Sequence, residues 1–196
     1  SIPRFKSTVD EYIRNTPEAV LVVEVAEEDW ANNLANIDQL QAVMAQLSDA
    51  QADNPRQKIR AEEAVVVITP PDQQARISEM RKSGLNIMMS MKSEAKPVSF
   101  VEDCAVPLQD LAEYTQGLTE IFEKYGTSGT WYAHASVGCL HVRPVLNMKL
   151  SADVQKMKSI APEAFELVKK YGGSHSGEHG DGLSRSEFNP VMFGPQ

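Results

Sequence analysis

The chain has 196 residues, of which 42% are hydrophobic, and it carries a formal net charge of -8 at pH 7. This length and composition are typical of a globular domain with a sizeable core. The acidic balance and the lack of a basic patch argue against a nucleic acid or an anionic membrane surface as the partner.

Sequence signals for localisation point to the cytoplasm. The most apolar run, residues 19–26, is interrupted by Glu24 and is too short for a transmembrane segment, which needs about 20 apolar residues. The two cysteines form no CxxC pair, and the N-terminus does not resemble a secretory signal. We therefore expect a cytoplasmic protein with free thiols and leave membrane association of the full-length protein open. Because the chain begins Ser-Ile-Pro and ends MFGPQ, we expect it to be part of a longer polypeptide.

Hydrophobic periodicity predicts strands that alternate with helices. The expected elements in chain order are a strand at 18–26, a helix at 29–47 with Asp29 as N-cap, an exposed connection at 48–60, a strand at 64–69, a helix from Pro70 that ends at Gly84, a strand at 97–107, a helix at 108–126, a hairpin at 129–146, and a helix at 151–173 that is broken or restarted at Pro162. This order predicts an α+β fold in a single domain over residues 1–196, a ferredoxin-like α/β sandwich with a mostly antiparallel sheet.

A glycine-rich segment, YGGSHSGEHGDG at residues 171–182, holds five of the eleven glycines and two of the four histidines. A flexible linker would use the glycines but would gain nothing from the histidines and carboxylates among them. We therefore expect this segment to approach another part of the protein closely. Within it, we interpret His175 as a surface residue.

The hairpin carries the other two histidines, His134 and His141. A tight turn centred on Val137 and Gly138 would pair them across the strands, with Cβ atoms about 4.5 to 5.5 Å apart, which suits two imidazoles that share a metal ion. We expect Gly138 to carry the positive φ, since β-branched Val137 does not tolerate it. The alternatives are a cross-strand aromatic contact and two surface histidines.

A carboxylate from the glycine-rich segment would complete such a site. Glu178 as a third ligand gives a two-histidine, one-carboxylate site with open positions for water or substrate. His179 would stay free as a general base. Cys139 lies between the two hairpin histidines and is a candidate thiolate ligand, but we expect it to face away from them and to be structural.

Four blocks of this sequence resemble the C-terminal domain of FAD-linked oxidases, the family of D-lactate dehydrogenase, the glycolate oxidase D-subunit and D-2-hydroxyglutarate dehydrogenase. The similarity runs from about residue 18 to the end. The blocks are YAHASVGCLHVRP, YGGSHSGEHGDG, SEMRKSGL and EAKPVSFVEDCAVP.

The resemblance implies oxidation of a 2-hydroxy acid to a 2-oxo acid with hydride transfer to FAD. It implies a divalent metal, Zn, Mn or Fe, and a base that removes the hydroxyl proton. The residues implied are His134, His141 and Glu178 as metal ligands, His179 as the catalytic base, and Arg81, Lys96 and Arg143 for substrate binding. Arg81 and Lys96 would bind either the substrate carboxylate or the flavin side of the cleft. Arg143 could recognise a second acidic group of the substrate or pair with a local acid, and both alternatives stay open.

Some positions depart from the family pattern. The hairpin reads ASVGC where the family usually has GDGN. Arg143 and Leu85 stand where the hydroxyglutarate-oxidising branch has Asn and a hydroxyl residue, which leaves the identity of the 2-hydroxy acid open. The hairpin sequence YAHASVGCLHVRP together with SGEHGDGLSRSEF is most similar to that of large bacterial members of the family, in which this domain is followed by an iron-sulfur domain.

The family's FAD-binding domain precedes this region, and no glycine-rich phosphate loop follows an N-terminal strand here. We therefore expect this chain to be the substrate and cap half of a two-domain active site, inactive alone. The alternative is a non-catalytic ferredoxin-like binding module with a structural metal site. Such a site would need a fourth protein ligand, for which Cys139 and His175 are the candidates.

Overall fold

A computed structural model describes residues 3–14, 17–50 and 65–194, with the side chains of residues 48–50, 85 and 87 excepted. The chain divides into two compact units, Ser1–Leu85 and Asn86–Gln196. The single domain over residues 1–196 stays a prediction. Within the described ranges, no helix is long and apolar enough to cross a bilayer.

The regular secondary structure described in the first unit is all helical. After a 3-10 turn at Pro3–Phe5, its helices are α1 (Lys6–Tyr12), α2 (Trp30–Ala50) and α3 (Pro71–Lys82), and α4 (Gly84–Met89) crosses the boundary between the units. The predicted N-cap of α2 is confirmed, because the Asp29 carboxylate accepts the Ala31 backbone N–H at 3.1 Å. Helix α3 already ends at Lys82, so Gly84 opens the next helix rather than closing this one.

The strands predicted at 18–26 and 64–69 are wrong as far as those residues are described. Neither residues 17–29 nor residues 65–70 contain a strand. The apolar side chains from Val20 to Val23 are exposed. A β-branched run favours a strand only when a neighbouring strand pairs with it, and the described part of this unit contains no such strand. The predicted connection at 48–60 begins inside α2, and from residue 51 it lies outside the described residues.

The second unit contains two three-stranded antiparallel sheets, which confirms the α+β prediction. Their strands are β1 (Lys96–Pro97), β2 (Cys104–Ala105), β3 (Gly129–Thr130), β4 (Ala133–His134), β5 (Cys139–Leu140) and β6 (Arg143–Leu146), in the orders β1-β6-β3 and β2-β5-β4. The helices of this unit are α5 (Leu111–Lys124), α6 (Ser151–Lys170), α7 (Gly182–Arg185) and α8 (Asn189–Phe193).

Two predicted elements of this unit need correction. The strand expected at 97–107 is split into β1 and β2, because the chain turns between them and Asp103 adopts a φ of 72°. Helix α6 runs through Pro162 without a break. An interior proline costs a helix about 3 kcal/mol, and here the buried face of α6 offsets that cost. That face includes Ile160, Phe165 and Val168.

The core lies where α5 and α6 pack on the strands. Helix α5 buries Tyr114, Leu118 and Phe122, as its amphipathic pattern predicts, and these side chains join the buried face of α6. Val142 and Leu146 from the returning arm of the hairpin complete the cluster. Fully burying each large apolar side chain contributes about 1.5 to 3 kcal/mol, so this core holds the hairpin firmly against the helices.

Candidate functional site

The hairpin register determines where its histidines stand. Strands β4 and β5 pair His134 with Cys139, and the His141 backbone N–H donates to the Tyr132 carbonyl at 2.6 Å. The predicted pairing of His134 with His141 is therefore wrong. The connection is a 3-10 turn at Ala135–Val137 followed by Gly138, longer than a two-residue turn, and the register shifts accordingly. Gly138 has a φ of 68°, so the prediction that it carries the positive φ is confirmed.

The shift nevertheless keeps both imidazoles on one face, because side chains on a strand alternate with a period of two residues. His134 and His141 are diagonal neighbours whose ring centroids lie 5.2 Å apart. Cys139 lies on that face too, so the prediction that it faces away is wrong. Its Sγ is 3.6 Å from Asp103 Oδ1. Burial, and then the charge of Asp103, raise the pKa of Cys139 to about 12, which favours the neutral thiol and a structural role.

The glycine-rich segment is attached to the free edge of β2. Ser174 and Ala105 exchange two backbone hydrogen bonds of 2.8 and 2.9 Å. At the preceding residue, Gly173, an added Cβ would lie 2.2 Å from the Ala105 carbonyl oxygen. Only glycine permits this approach, which confirms the expectation of close contact. Strand β2 thus lies between this segment and β5, and His141 follows β5 directly.

Three imidazoles surround one carboxylate oxygen of Glu178. The Oε1 atom lies 2.8 Å from His141 Nε2, 3.3 Å from His179 Nε2 and 3.8 Å from His134 Nε2. Ligand atoms at about 2.1 Å from a tetrahedral ion are separated by about 3.4 Å. The observed separations from Glu178 Oε1 bracket that value. Among the described ligand atoms, those of Asp103, His141, Glu178 and His179 all lie within 4.8 Å of one another and could hold a divalent metal, whereas His134 stands outside this group.

The protonation of His141 agrees with such a site. Its burial lowers the imidazole pKa, and the neighbouring His134 and His179 act in the same direction, although Glu178 opposes them. A lowered pKa favours the neutral imidazole, which is the form that binds a metal.

Asp103 is a member of this cluster that the sequence analysis missed. Its carboxylate lies with ligand atoms of His141, Glu178 and His179, all within 4.8 Å of one another. The only sequence signal is a pair of acids, Glu102 and Asp103, inside a segment that reads as a buried strand. Backbone N–H groups donate to Asp103, and its pKa is lowered although burial alone would raise it.

Glu102 connects Arg143 to the base predicted at His179. Arg143 forms an ion pair with Glu102, and both side chains are largely buried. The Arg143 Nε–H also donates to Ser99 Oγ at 3.2 Å. The other oxygen of Glu102, Oε1, lies 3.6 Å from His179 Nδ1. Of the two alternatives left open for Arg143, the pairing with a local acid is the contact present here.

A family model described as FAD linked oxidases, C-terminal domain, matches residues 6–196. The chain belongs to this family. It is 40% identical over 119 residues to the D-2-hydroxyglutarate dehydrogenase of Pantoea ananatis, a match that covers 61% of this chain and 12% of that protein. It is 38% identical over 121 residues to the D-2-hydroxyglutarate dehydrogenase of Escherichia coli, covering 62% of this chain and 12% of that protein.

A third relative is the glycolate oxidase subunit GlcD of Bacillus subtilis, which is 27% identical over 112 residues; the match covers 57% of this chain and 23% of that protein. The resemblance to FAD-linked oxidases is thus confirmed. The chain spans 12% of the length of the D-2-hydroxyglutarate dehydrogenases named above.

The cations that the family resemblance assigns to substrate binding lie on elements that carry neither the histidines nor Glu178. Arg81 is an exposed residue of α3, in the first unit. Lys96 begins β1, in the sheet that does not carry the histidines, and its ammonium donates to the Met91 carbonyl. The side chain of Leu85 lies outside the described residues. Substrate binding by Arg81, Lys96 and Arg143 stays a prediction.

His175 is buried, so the prediction that it lies on the surface is wrong. Its Nε2 lies 3.1 Å from Asn189 Oδ1 and 3.1 Å from Asp181 Oδ1. Its ring packs edge-on against Phe165 of α6. These contacts occupy His175 away from Glu178, and it is absent from the cluster of described ligand atoms. His175 therefore anchors the glycine-rich segment to the core.

Proposed function

We propose that this chain is the substrate- and metal-binding part of an FAD-dependent enzyme that oxidises a 2-hydroxy acid to a 2-oxo acid. The observation that carries the proposal is the position of Glu178 Oε1 among three imidazole nitrogens. The substrates to consider are D-2-hydroxyglutarate, glycolate and D-lactate. The names of the relatives from Pantoea, Escherichia and Bacillus support the first two.

The residues proposed to hold the divalent metal, Zn, Mn or Fe, are His134, His141 and Glu178. Three protein ligands leave a coordination position for substrate, as catalytic sites require. When bound, such an ion lowers the pKa of a coordinated hydroxyl. The neutral state favoured for His141 supports this assignment.

His179 is proposed to accept the proton of the substrate hydroxyl. Its ring is half-exposed, and Nε2 points toward Glu178 while Nδ1 faces Glu102. A carboxylate lies near each ring nitrogen, Glu178 at 3.3 Å from Nε2 and Glu102 at 3.6 Å from Nδ1, so the imidazole can accept a proton between two negative charges. The two carboxylates then stabilise the imidazolium that forms.

Substrate carboxylate binding is proposed for Arg81, Lys96 and Arg143, whose guanidinium and ammonium groups suit that anion. FAD, bound mainly by the polypeptide's own N-terminal domain, would supply the acceptor for the hydride of the carbinol carbon. The hydroxyl proton goes to His179, so the two hydrogens leave the substrate separately. A cytoplasmic location and a downstream iron-sulfur domain belong to the same proposal.

A second function is favoured by one distance. His179 Nε2 lies 3.3 Å from Glu178 Oε1, close enough for His179 to be a fourth ligand. Four protein ligands would close the site and make the metal structural. The chain would then be a non-catalytic binding module.

One experiment on the full-length polypeptide separates these functions. Flavin absorbance is recorded anaerobically before and after addition of D- and L-2-hydroxy acids, for the wild type and for His179→Ala, and metal content is measured in parallel. We expect one acid to bleach the flavin, and bleaching to slow by about 10²- to 10⁴-fold in His179→Ala while the metal is retained. The control is Glu163→Gln, which removes a surface pair with Lys124 and should bleach like the wild type.

A flavin that no hydroxy acid reduces would contradict the proposed activity. Bleaching at the wild-type rate in His179→Ala would contradict the assignment of the base. Loss of the metal in His179→Ala would identify His179 as a ligand and support the structural site instead.

A further inference from the structure

A buried carboxylate holds the part of the glycine-rich segment that carries Glu178 and His179. Asp103 Oδ1 accepts the Glu178 backbone N–H at 2.9 Å, and Oδ2 accepts the His179 backbone N–H at 2.8 Å and the Ser176 hydroxyl at 3.1 Å. The Asp103 carbonyl accepts the Gly177 backbone N–H at 2.6 Å. Four consecutive residues of the segment are therefore bound to this one residue.

Arg185 holds the same segment from its other end. Its side chain is buried, and its Nη2 lies 3.4 Å from Asp103 Oδ2. It also donates to the carbonyl of His175 at 2.9 Å and to that of Gly180 at 2.6 Å, and to the carbonyl of Glu102. Carbonyls on both sides of residues 176–179 are thus fixed by one guanidinium, which also balances the buried charge of Asp103.

The lone pairs of Asp103 are already in use. An ionised carboxylate offers about four acceptor positions. Five donors of the protein face them: the N–H groups of Glu178 and His179, the Ser176 hydroxyl, the Arg185 guanidinium and the Cys139 thiol. Coordination of a cation by Asp103 would have to displace one of these donors inside a buried site.

We propose that Asp103 is a positioning residue for the metal ligand Glu178 and the base His179, and that it is not itself a metal ligand. The inference rests on the proposed function of this site. Asp103 binds the backbone of the two residues, so it fixes the backbone positions from which their side chains extend. The hairpin supplies His134 and His141 independently. Partners that orient metal ligands typically change metal affinity by about 10- to 100-fold when they are removed.

The test measures Zn²⁺ affinity of the full-length polypeptide by isothermal titration calorimetry, together with its thermal unfolding. Asp103→Asn keeps the shape but turns one acceptor into a donor that faces N–H groups. We expect its Zn²⁺ affinity to fall by about 10- to 100-fold. The matched control is Asp153→Asn, in which a carboxylate that accepts the Asn147 backbone N–H outside this site is changed in the same way. Its Zn²⁺ affinity should equal that of the wild type.

A second variant separates positioning from ligation and does not require Asp103→Asn to fold. Ser176→Ala removes one donor from Asp103 Oδ2. If Asp103 positions Glu178 and His179, Zn²⁺ affinity falls in Ser176→Ala as well, by a smaller factor. Tighter binding in Ser176→Ala would mean that Asp103 is a ligand released from a competing donor, and unchanged binding would mean that its bond to Ser176 does not position Glu178 and His179; either result would overturn the inference.

The remaining outcomes are also decisive. Zn²⁺ affinity that is unchanged in a folded Asp103→Asn would overturn the inference alone and leave the proposed function standing. A wild-type protein that binds neither Zn²⁺ nor Mn²⁺ would overturn the proposed metal site, and the inference with it.

Discussion

The hairpin and the glycine-rich segment bring side chains to the same site, but the two are held in different ways. His134 and His141 stand on or beside strands whose backbone hydrogen bonds continue into two antiparallel sheets. Glu178 and His179 belong to no strand or helix, and a side chain, that of Asp103, accepts their backbone N–H groups. The hairpin should therefore be most sensitive to changes of backbone conformation, and the segment to the loss of buried polar partners.

The largest effect is expected from Gly138→Ala, which breaks the turn of the hairpin. A non-glycine residue at a φ of 68° costs about 1 to 2 kcal/mol. In addition, its Cβ would lie 1.9 Å from the Val106 carbonyl oxygen, so the backbone must move. We expect the free energy of unfolding, measured by urea denaturation, to fall by about 4 kcal/mol or more.

Gly126→Ala is the matched control for that change. Gly126 has a φ of 63°, and no atom lies within 4 Å of an added Cβ, so only the conformational cost of about 1 to 2 kcal/mol applies. Equal losses in the two variants would show that the contact with Val106 does not constrain the turn.

A smaller but clear loss is expected from His175→Ala, which removes the anchor under the glycine-rich segment. The variant leaves a cavity beside Phe165 and deprives Asn189 and Asp181 of their partner. We expect the free energy of unfolding to fall by about 2 to 4 kcal/mol. His179→Ala, which truncates a half-exposed imidazole of the same segment, should cost less than about 1 kcal/mol. A loss in His175→Ala no larger than this would rule out the anchoring role.

The same two regions show what the sequence can predict. The hairpin, α5 and α6 follow from patterns of apolar residues, because each buries one regular face against the core. The predicted register of the hairpin is wrong. His134 and His141 still share a face, because side chains alternate between the two faces of a strand in the shifted register as well. The β-branched run at 18–26 misled the prediction, since a strand needs a pairing partner that the run itself does not encode.

The support of the glycine-rich segment could not be predicted in this way. Asp103 and Arg185 contact residues far from them in sequence, and neither lies in a periodic pattern. Buried charges look like surface charges in a sequence until their partners are known. His175 was assigned to the surface for the same reason. By contrast, the approach of Glu178 to the hairpin histidines could be predicted, because carboxylates and histidines among glycines have no use in a flexible linker.

The smallest effect is expected from a change of Asp153 at the end of the hairpin. Near the surface, its carboxylate accepts a backbone N–H, as the carboxylate of Asp103 does in the interior. The Asp153 carboxylate accepts the Asn147 backbone N–H at 2.8 Å and pairs with Lys156 at 3.0 Å. The hydrogen bond from Asn147 and then the bond to Lys156 lower the pKa of Asp153 below its ordinary value of 3.8. Because the folded state holds this carboxylate ionised, its contribution to stability is complete above pH 3.8 and is lost as the pH falls through the lower pKa of the folded state.

Asp153→Asn should therefore lower the free energy of unfolding by a constant small amount near neutral pH, and the difference from the wild type should vanish in acid. The measurement is urea denaturation repeated from about pH 7 to about pH 2. Lys156→Met should keep most of the pH dependence, because the backbone hydrogen bond from Asn147 is the larger cause of the lowered pKa. Parallel stability curves for the wild type and Asp153→Asn over this range would mean that the carboxylate does not hold the end of the hairpin. The contrast between a partly buried and a fully buried carboxylate would then have to rest on Asp103 alone.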